Sequence, residues 1–202
     1  MTTLALEPTP LKRDATVIGL VGVAHCISHF SQLLLPPLFP WLKDAFQVSY
    51  TQLGFLLTIF FVVSCIVQTL SGFWVDRYGP RPILFSGLAL LGVAALGYAS
   101  SQSYWMLAGW AVVAGIGTSM VLTSSGRLIQ RSGTSAERPS LFAAQFSLSH
   151  LCWLFTYPIA GFAGGALGLP AAAAILGAVA ILGTIAAIFL WPGGAERQLS
   201  QS

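Results

Sequence analysis

Six runs of apolar residues, each near the length that crosses a hydrocarbon core about 30 Å thick, nearly exhaust this 202-residue chain. They extend approximately from Ala15 to Leu42, Gln52 to Val75, Ile83 to Ala99, Tyr104 to Thr123, Leu141 to Ala166 and Ala171 to Trp191. What remains is two polar tails, 1–14 and 192–202, and five short loops, which leave no room for a soluble catalytic domain. A composition of 55% hydrophobic against 7% charged residues excludes a soluble fold. Lipid offers the backbone no hydrogen-bonding partner, so each span has to be a helix. The expected fold is an all-α membrane domain of six transmembrane helices over 15–191, with the lipid bilayer as its first partner.

Charge supplies the orientation. Nine Lys and Arg against six Asp and Glu leave a formal +3, too thinly spread for nucleic-acid binding. Lys12, Arg13, Arg77, Arg81, Arg127, Arg131, Arg138 and Arg197 fall on one side of the six spans, and Lys43 alone on the other. Positive residues are retained in the cytoplasm, which places both termini of this multi-pass chain there, in a cell inner (plasma) membrane. The first run is too long for a secretory signal and lacks a small-x-small cleavage site, so it stays attached. Cys26, Cys65 and Cys152 each lie inside an apolar run and read as free thiols.

Polarity is unevenly shared. The first span carries His25, Ser28, His29 and Gln32 on one helical face; the second carries Thr58, Ser64 and Gln68; the fifth carries Gln145, Ser149, His150 and Thr156. Such faces require protein or water. The third and sixth spans, nearly devoid of polar groups, read as lipid-facing. Spans one to three and four to six then form two three-helix units of opposite orientation, the arrangement of inverted repeats in transporters.

Between the second and third spans stands Gly72-Phe73-Trp74-Val75-Asp76-Arg77-Tyr78-Gly79-Pro80-Arg81. It resembles the cytoplasmic signature of the major facilitator superfamily, matching at Gly72, Asp76, Arg77, Gly79 and Arg81, with Pro80 where the family often has another basic residue. In physical terms Gly72 permits close helix approach, Gly79 a tight turn, and Asp76 can pair with a neighbouring Arg or a helix N-terminus. The resemblance implies a gating role for these contacts and half of the superfamily's fold. The first span, this loop and the stretch from Gly115 to Gly165 are similar to the amino-terminal half of efflux-type members such as the fosmidomycin-resistance group. The family's fourth-span arginine is absent. In the fifth span Pro158, Gly161 and Gly165 partly resemble the antiporters' glycine-proline motif, and equally suit ordinary packing through Pro158 and a small-xxx-small face.

All six acidic residues, Glu7, Asp14, Asp44, Asp76, Glu137 and Glu196, fall in tails or loops on this map. A carboxylate proton relay within the membrane is therefore not expected. Histidine changes charge near neutral pH, which makes His25, His29 and His150 the coupling candidates, with Gln32, Gln68, Gln145, Ser149, Trp153 and Tyr157 as substrate candidates beside them. His25 and His29, with Cys26 or Cys152, offer an incomplete metal set and read first as hydrogen-bonded cavity residues. No metal site, cofactor or enzymatic constellation is expected, and the lack of a Walker-type loop argues against direct use of ATP.

Members of the superfamily normally enclose their path between two six-helix halves, and this chain supplies one. The expected function is secondary transport of a small molecule, efflux by alternating access, as a homodimer or with a second six-helix half. The alternative is a non-transporting half or a partner subunit of a full-length transporter.

Overall fold

The computed structural model describes residues 11–131 and 135–189; the outer parts of both tails, with Glu7, Glu196 and Arg197, lie outside the described residues. The fold is all-helical. Helix α1 runs Leu11–Gln32, a 3-10 turn spans Pro36–Leu38, and α2 (Phe39–Phe46), α3 (Tyr50–Tyr78), α4 (Pro80–Ala99), α5 (Tyr104–Gln130) and α6 (Arg138–Phe189) follow. Among the described residues, four helical stretches are long and apolar enough to cross a membrane: α3, α4, α5 and the first arm of α6, Arg138–Leu169.

The predicted first span from Ala15 to Leu42 is two helices. Pro36 and Pro37 lack the amide hydrogens a continuous helix needs, and each ring crowds the preceding turn. The chain therefore leaves α1 after Gln32 and turns through Pro36–Leu38 into α2. Gln47, in the left-handed region at φ 53°, ends α2. Ser49 and Gln52 then start α3 with a capping box: the Ser49 hydroxyl accepts the Gln52 amide at 3.2 Å, and Gln52 Oε1 accepts the Ser49 amide at 2.8 Å. Ser103 starts α5 with a simple N-cap, its hydroxyl accepting from the Met106 amide.

Gly79 alone joins α3 to α4, at φ 86°. Gly168 alone joins the two arms of α6, at φ 78° and ψ 168°, in place of the loop expected between the fifth and sixth spans. Only glycine takes that conformation without strain, so Gly168→Ala should cost about 1–3 kcal/mol. Thermal unfolding of the purified protein in detergent measures it; an unchanged midpoint contradicts the assignment.

α5 occupies the middle of the bundle, and two glycines explain how. A methyl group on Gly115 would lie 2.8 Å from the Phe60 carbonyl oxygen of α3, and one on Gly117 would lie 2.9 Å from the Gly87 carbonyl oxygen of α4. Two residues along a helix turn the side chain by about 200°, so these glycines face opposite neighbours. The α3 contact is closed by Ser64 and Ser119, whose hydroxyl oxygens are 3.0 Å apart, with Ser119 Oγ 2.7 Å from the Ser64 carbonyl oxygen.

α4 is not the lipid-facing helix expected of an almost purely apolar span. Fully 56% of its apolar stretch is buried within the chain, against 22% for α3 and 28% for the first arm of α6. Gly87, Ala94, Ala95 and Gly97 let neighbours approach closely, with Trp110 of α5 seated over Gly97. Thr184 of the second α6 arm donates to its own helix at Ala180 O and reaches Leu88 O of α4 at 3.4 Å. The exposed residues of α4 form a narrow stripe through Pro82, Ser86, Ala89, Val93, Leu96 and Ala99. A helix without polar groups suits the bundle interior, because packing satisfies it completely; the peripheral helices are those that keep polar groups to spare.

Candidate functional site

The three histidines, scattered over 126 positions of sequence, form one cluster. His25 and His29 lie one turn apart on α1, with ring centroids 4.6 Å apart and stacked. α6 crosses them and inserts His150 at 4.5 Å from His29 and 6.5 Å from His25. Trp153 closes the far side, 5.3 Å from His29 and 4.8 Å from His150, and Phe146 stacks on His150 at 3.8 Å.

The hydrogen bonds assign the ring nitrogens. His29 Nδ1 donates to Gln32 Oε1 at 3.1 Å, and His150 Nδ1 donates to the Phe146 carbonyl at 2.7 Å. In both rings this leaves Nε2 as the lone-pair nitrogen. The Gln145 amide donates to His25 Nδ1 across the α1–α6 contact. His29 is 9% exposed, and its Nε2 is buried without a hydrogen-bond partner among the described residues.

A cleft of about 520 Å³ adjoins the cluster between α1, α3, α5 and the first arm of α6. His25, Gln68, Gln145 and Phe146 line it, together with Leu122 and Gly126. The remaining candidates divide. Gln32 is drawn in through His29, Trp153 and Tyr157 stay substantially exposed on the α6 face, and Ser149 is fully buried, donating to the Phe146 carbonyl. Ser28 and Thr156 likewise spend their hydroxyls on their own helices. Cys26 and Cys152 are free thiols, and Cys152 donates to the Ser149 carbonyl at 2.9 Å. Among the described residues, no three His, Cys, Asp or Glu side chains converge in a metal-holding group.

At the opposite end of the cleft, the signature loop makes one ion pair. Arg127 Nη2 of α5 donates to Asp76 Oδ1 of α3 at 2.7 Å, holding the two helix ends together. Arg127 was legible only as one more positive loop residue, since nothing in its sequence neighbourhood names Asp76 as partner. Arg77 lies over the Tyr78 ring and Arg81 over the Phe85 ring, so neither guanidinium pairs with Asp76. Gly72 has open space where a methyl group would stand, so the close helix approach expected there falls instead on Gly87, Gly115 and Gly117. On α6 likewise, Gly161 meets nothing among the described residues and a methyl on Gly165 would only touch Trp41 at 3.8 Å. The tight approach is at Gly164, 2.9 Å from the Trp41 ring. Pro158 is exposed within the continuous first arm, and the break in α6 falls at Gly168.

Comparison with known proteins agrees with this architecture. The chain is 26% identical over 126 residues to the fosmidomycin resistance protein of Escherichia coli, covering 61% of this chain and 30% of that protein. It is 22% identical over 187 residues to the probable sulfoacetate transporter SauU of Cupriavidus necator, covering 93% of this chain and 44% of the relative. It is 31% identical over 101 residues to the uncharacterized MFS-type transporter YfnC of Bacillus subtilis, covering 47% and 24%. The chain thus spans less than half the length of each of these relatives. The family profile described as Major Facilitator Superfamily matches residues 21–201, from the middle of α1 through both arms of α6. With a family match over most of its length and a signature loop whose Asp76 pairs with Arg127, this chain belongs to the Major Facilitator Superfamily.

Proposed function

We propose that this chain is one six-helix half of a secondary transporter, built of two inverted three-helix units, and that it works by alternating access against a second copy or a second half. The observation that carries the reading is the cleft, an open one lined from α1, α3, α5 and the first arm of α6, of which α3 and the α6 arm are the least buried of the span-length stretches. Helix α3 and the first arm of α6 present large apolar side chains outward, among them Phe73 at 70% and Phe162 at 77% exposed, while Gln68 and Tyr157 are exposed on the same helices. Polar groups directed at acyl chains are costly, and a companion bundle would shelter them. The positive residues grouped at one end support cytoplasmic termini in the inner membrane. Export is favoured by the relative named for fosmidomycin resistance.

The test combines assembled mass in nanodiscs with a solute-flux screen in proteoliposomes across a pH gradient. The expected result is a dimer that transports, with flux lowered and its pH dependence lost in His29→Ala or His150→Ala. A strictly monomeric protein with full flux refutes the two-bundle mechanism, and unchanged flux in both variants refutes histidine coupling. A second reading follows from the coverage of less than half of each relative: the chain serves as a membrane partner of a larger transporter. Co-purification with such a protein, and no flux alone, would favour it.

A further inference from the structure

We infer that the His25–His29–His150 cluster is a binding site for an organic anion with a flat apolar body, taken up together with one proton. The inference rests on the carrier reading and adds to it a substrate class and a coupling chemistry. The first observation is the hydrogen-bond assignment. His29 and His150 both commit Nδ1–H to fixed acceptors, Gln32 Oε1 and the Phe146 carbonyl, so a proton entering either ring binds at Nε2. At His29 that atom is buried and has no acceptor among the described residues. An N–H formed there carries a positive charge with nothing to receive it, and an oxyanion supplies both the acceptor and the counter-charge.

The second observation is the electrostatic frame. Besides the histidines, the titratable groups nearest in the two helices are the Cys26 thiol of α1 and the Cys152 thiol of α6, the latter donating to the Ser149 carbonyl at 2.9 Å. The charged residues of α3 and α5 lie at the helix ends, where Asp76 and Arg127 are paired. Tyr98 of α4 stands beside Leu34 and Leu42 at the other end, and Tyr104 of α5 donates to Gln52 O there. No carboxylate therefore competes for the protonated imidazole among the described residues, and a bound anion is its natural partner. Cationic solutes face the reverse situation.

The third observation is the wall. Trp153 edges onto His29, and Phe146, which lines the adjoining cleft with His25, stacks on His150. Such walls fit a flat hydrocarbon body beside the charged group. The adjoining cleft of about 520 Å³ is large enough for a solute of that kind.

Isothermal titration of the full chain in detergent tests this with benzoate, using benzylamine and benzyl alcohol as cationic and neutral controls of the same shape. Run in two buffers of different ionisation enthalpy, it counts protons directly. The expected result is benzoate binding with uptake of about one proton, its affinity rising up to tenfold for each pH unit lowered between about 7.5 and 5.5. His29→Gln, confirmed monodisperse, should lose the proton uptake and the pH slope. Benzoate binding without proton uptake in the wild-type chain overturns the inference, as does equal binding of benzylamine. Proton-linked binding without flux upholds the site and removes the carrier reading. Flux without proton-linked benzoate binding removes the site and leaves the carrier standing.

Discussion

Gly117→Leu is expected to abolish recovery of a folded, monodisperse protein, the largest effect of any single change in this chain. The α4–α5 crossing is reciprocal: a methyl on Gly117 would stand 2.9 Å from Gly87 O, and one on Gly87 would stand 2.8 Å from Gly117 O. Both obstacles are backbone atoms, which cannot rotate away, so the helices have to separate. Separation also strips contacts around Leu84, Leu88, Leu91 and Val121, all fully buried. Overpacking of a core costs about 1–3 kcal/mol when side chains can adjust, and more when they cannot. In a bundle held by close packing rather than by water exclusion, that loss is not recovered elsewhere. Gly109→Ala is the control, since open space surrounds a methyl group there. Fluorescence-detected gel filtration and thermal unfolding in detergent should show the control at wild-type level and Gly117→Leu aggregated. Wild-type behaviour of Gly117→Leu would mean that the helices do not cross at these glycines.

The second large effect is expected on conformation rather than stability. Asp76→Arg should open the signature-loop end of the cleft, and the exchange Asp76→Arg with Arg127→Asp should close it again. The pair is short, at 2.7 Å, but its side chains are 62% and 41% exposed. Solvent screening limits a pair this open to about 0–1 kcal/mol of folding stability, so unfolding temperatures should barely move. A conformational equilibrium poised within a few kcal/mol is shifted several-fold by the same energy. The readout is labelling by an impermeant maleimide of a cysteine placed at Gly126, which lines the cleft next to Arg127, in a chain with Cys65→Ser. The expected labelling rate rises by roughly tenfold in Asp76→Arg and returns towards wild type in the double exchange. Equal rates in all three would show that the pair holds no gate.

Helix content is legible in the sequence, and α3, α4, α5 and the first arm of α6 cover the second to fifth apolar runs, because apolar length is a property of each segment alone. The break after Gln32 was also written there, in Pro36 and Pro37, but a hydrophobicity window averages over two prolines set among leucines. Position in the bundle was not legible. An apolar span such as α4 satisfies lipid and protein equally well, so its composition cannot say which it meets; the glycines and alanines at 87, 94, 95 and 97 decide it only once a partner helix presents a matching surface. For the same reason Gly72, Gly161 and Gly165 looked like packing glycines, and Gly87 and Gly117 did not stand out.

The candidate site divides along the same line. That His25 and His29 share a face follows from their spacing of four, and that Asp76 seeks a cation follows from its charge. Which cation it finds, Arg127, 51 positions away, depends on α3 and α5 ending together. The meeting of His150 with His29 depends on α6 crossing α1 at one height, set by the turn at Gly168 and the seat of Trp41 on Gly164. The chain by itself determined that its backbone must satisfy its own hydrogen bonds in lipid, and therefore that it is helical. Only the tertiary structure decided which helices are central and which imidazoles meet, because helix contacts in a membrane are chosen by shape between distant segments, and no local pattern encodes a shape that two segments make together.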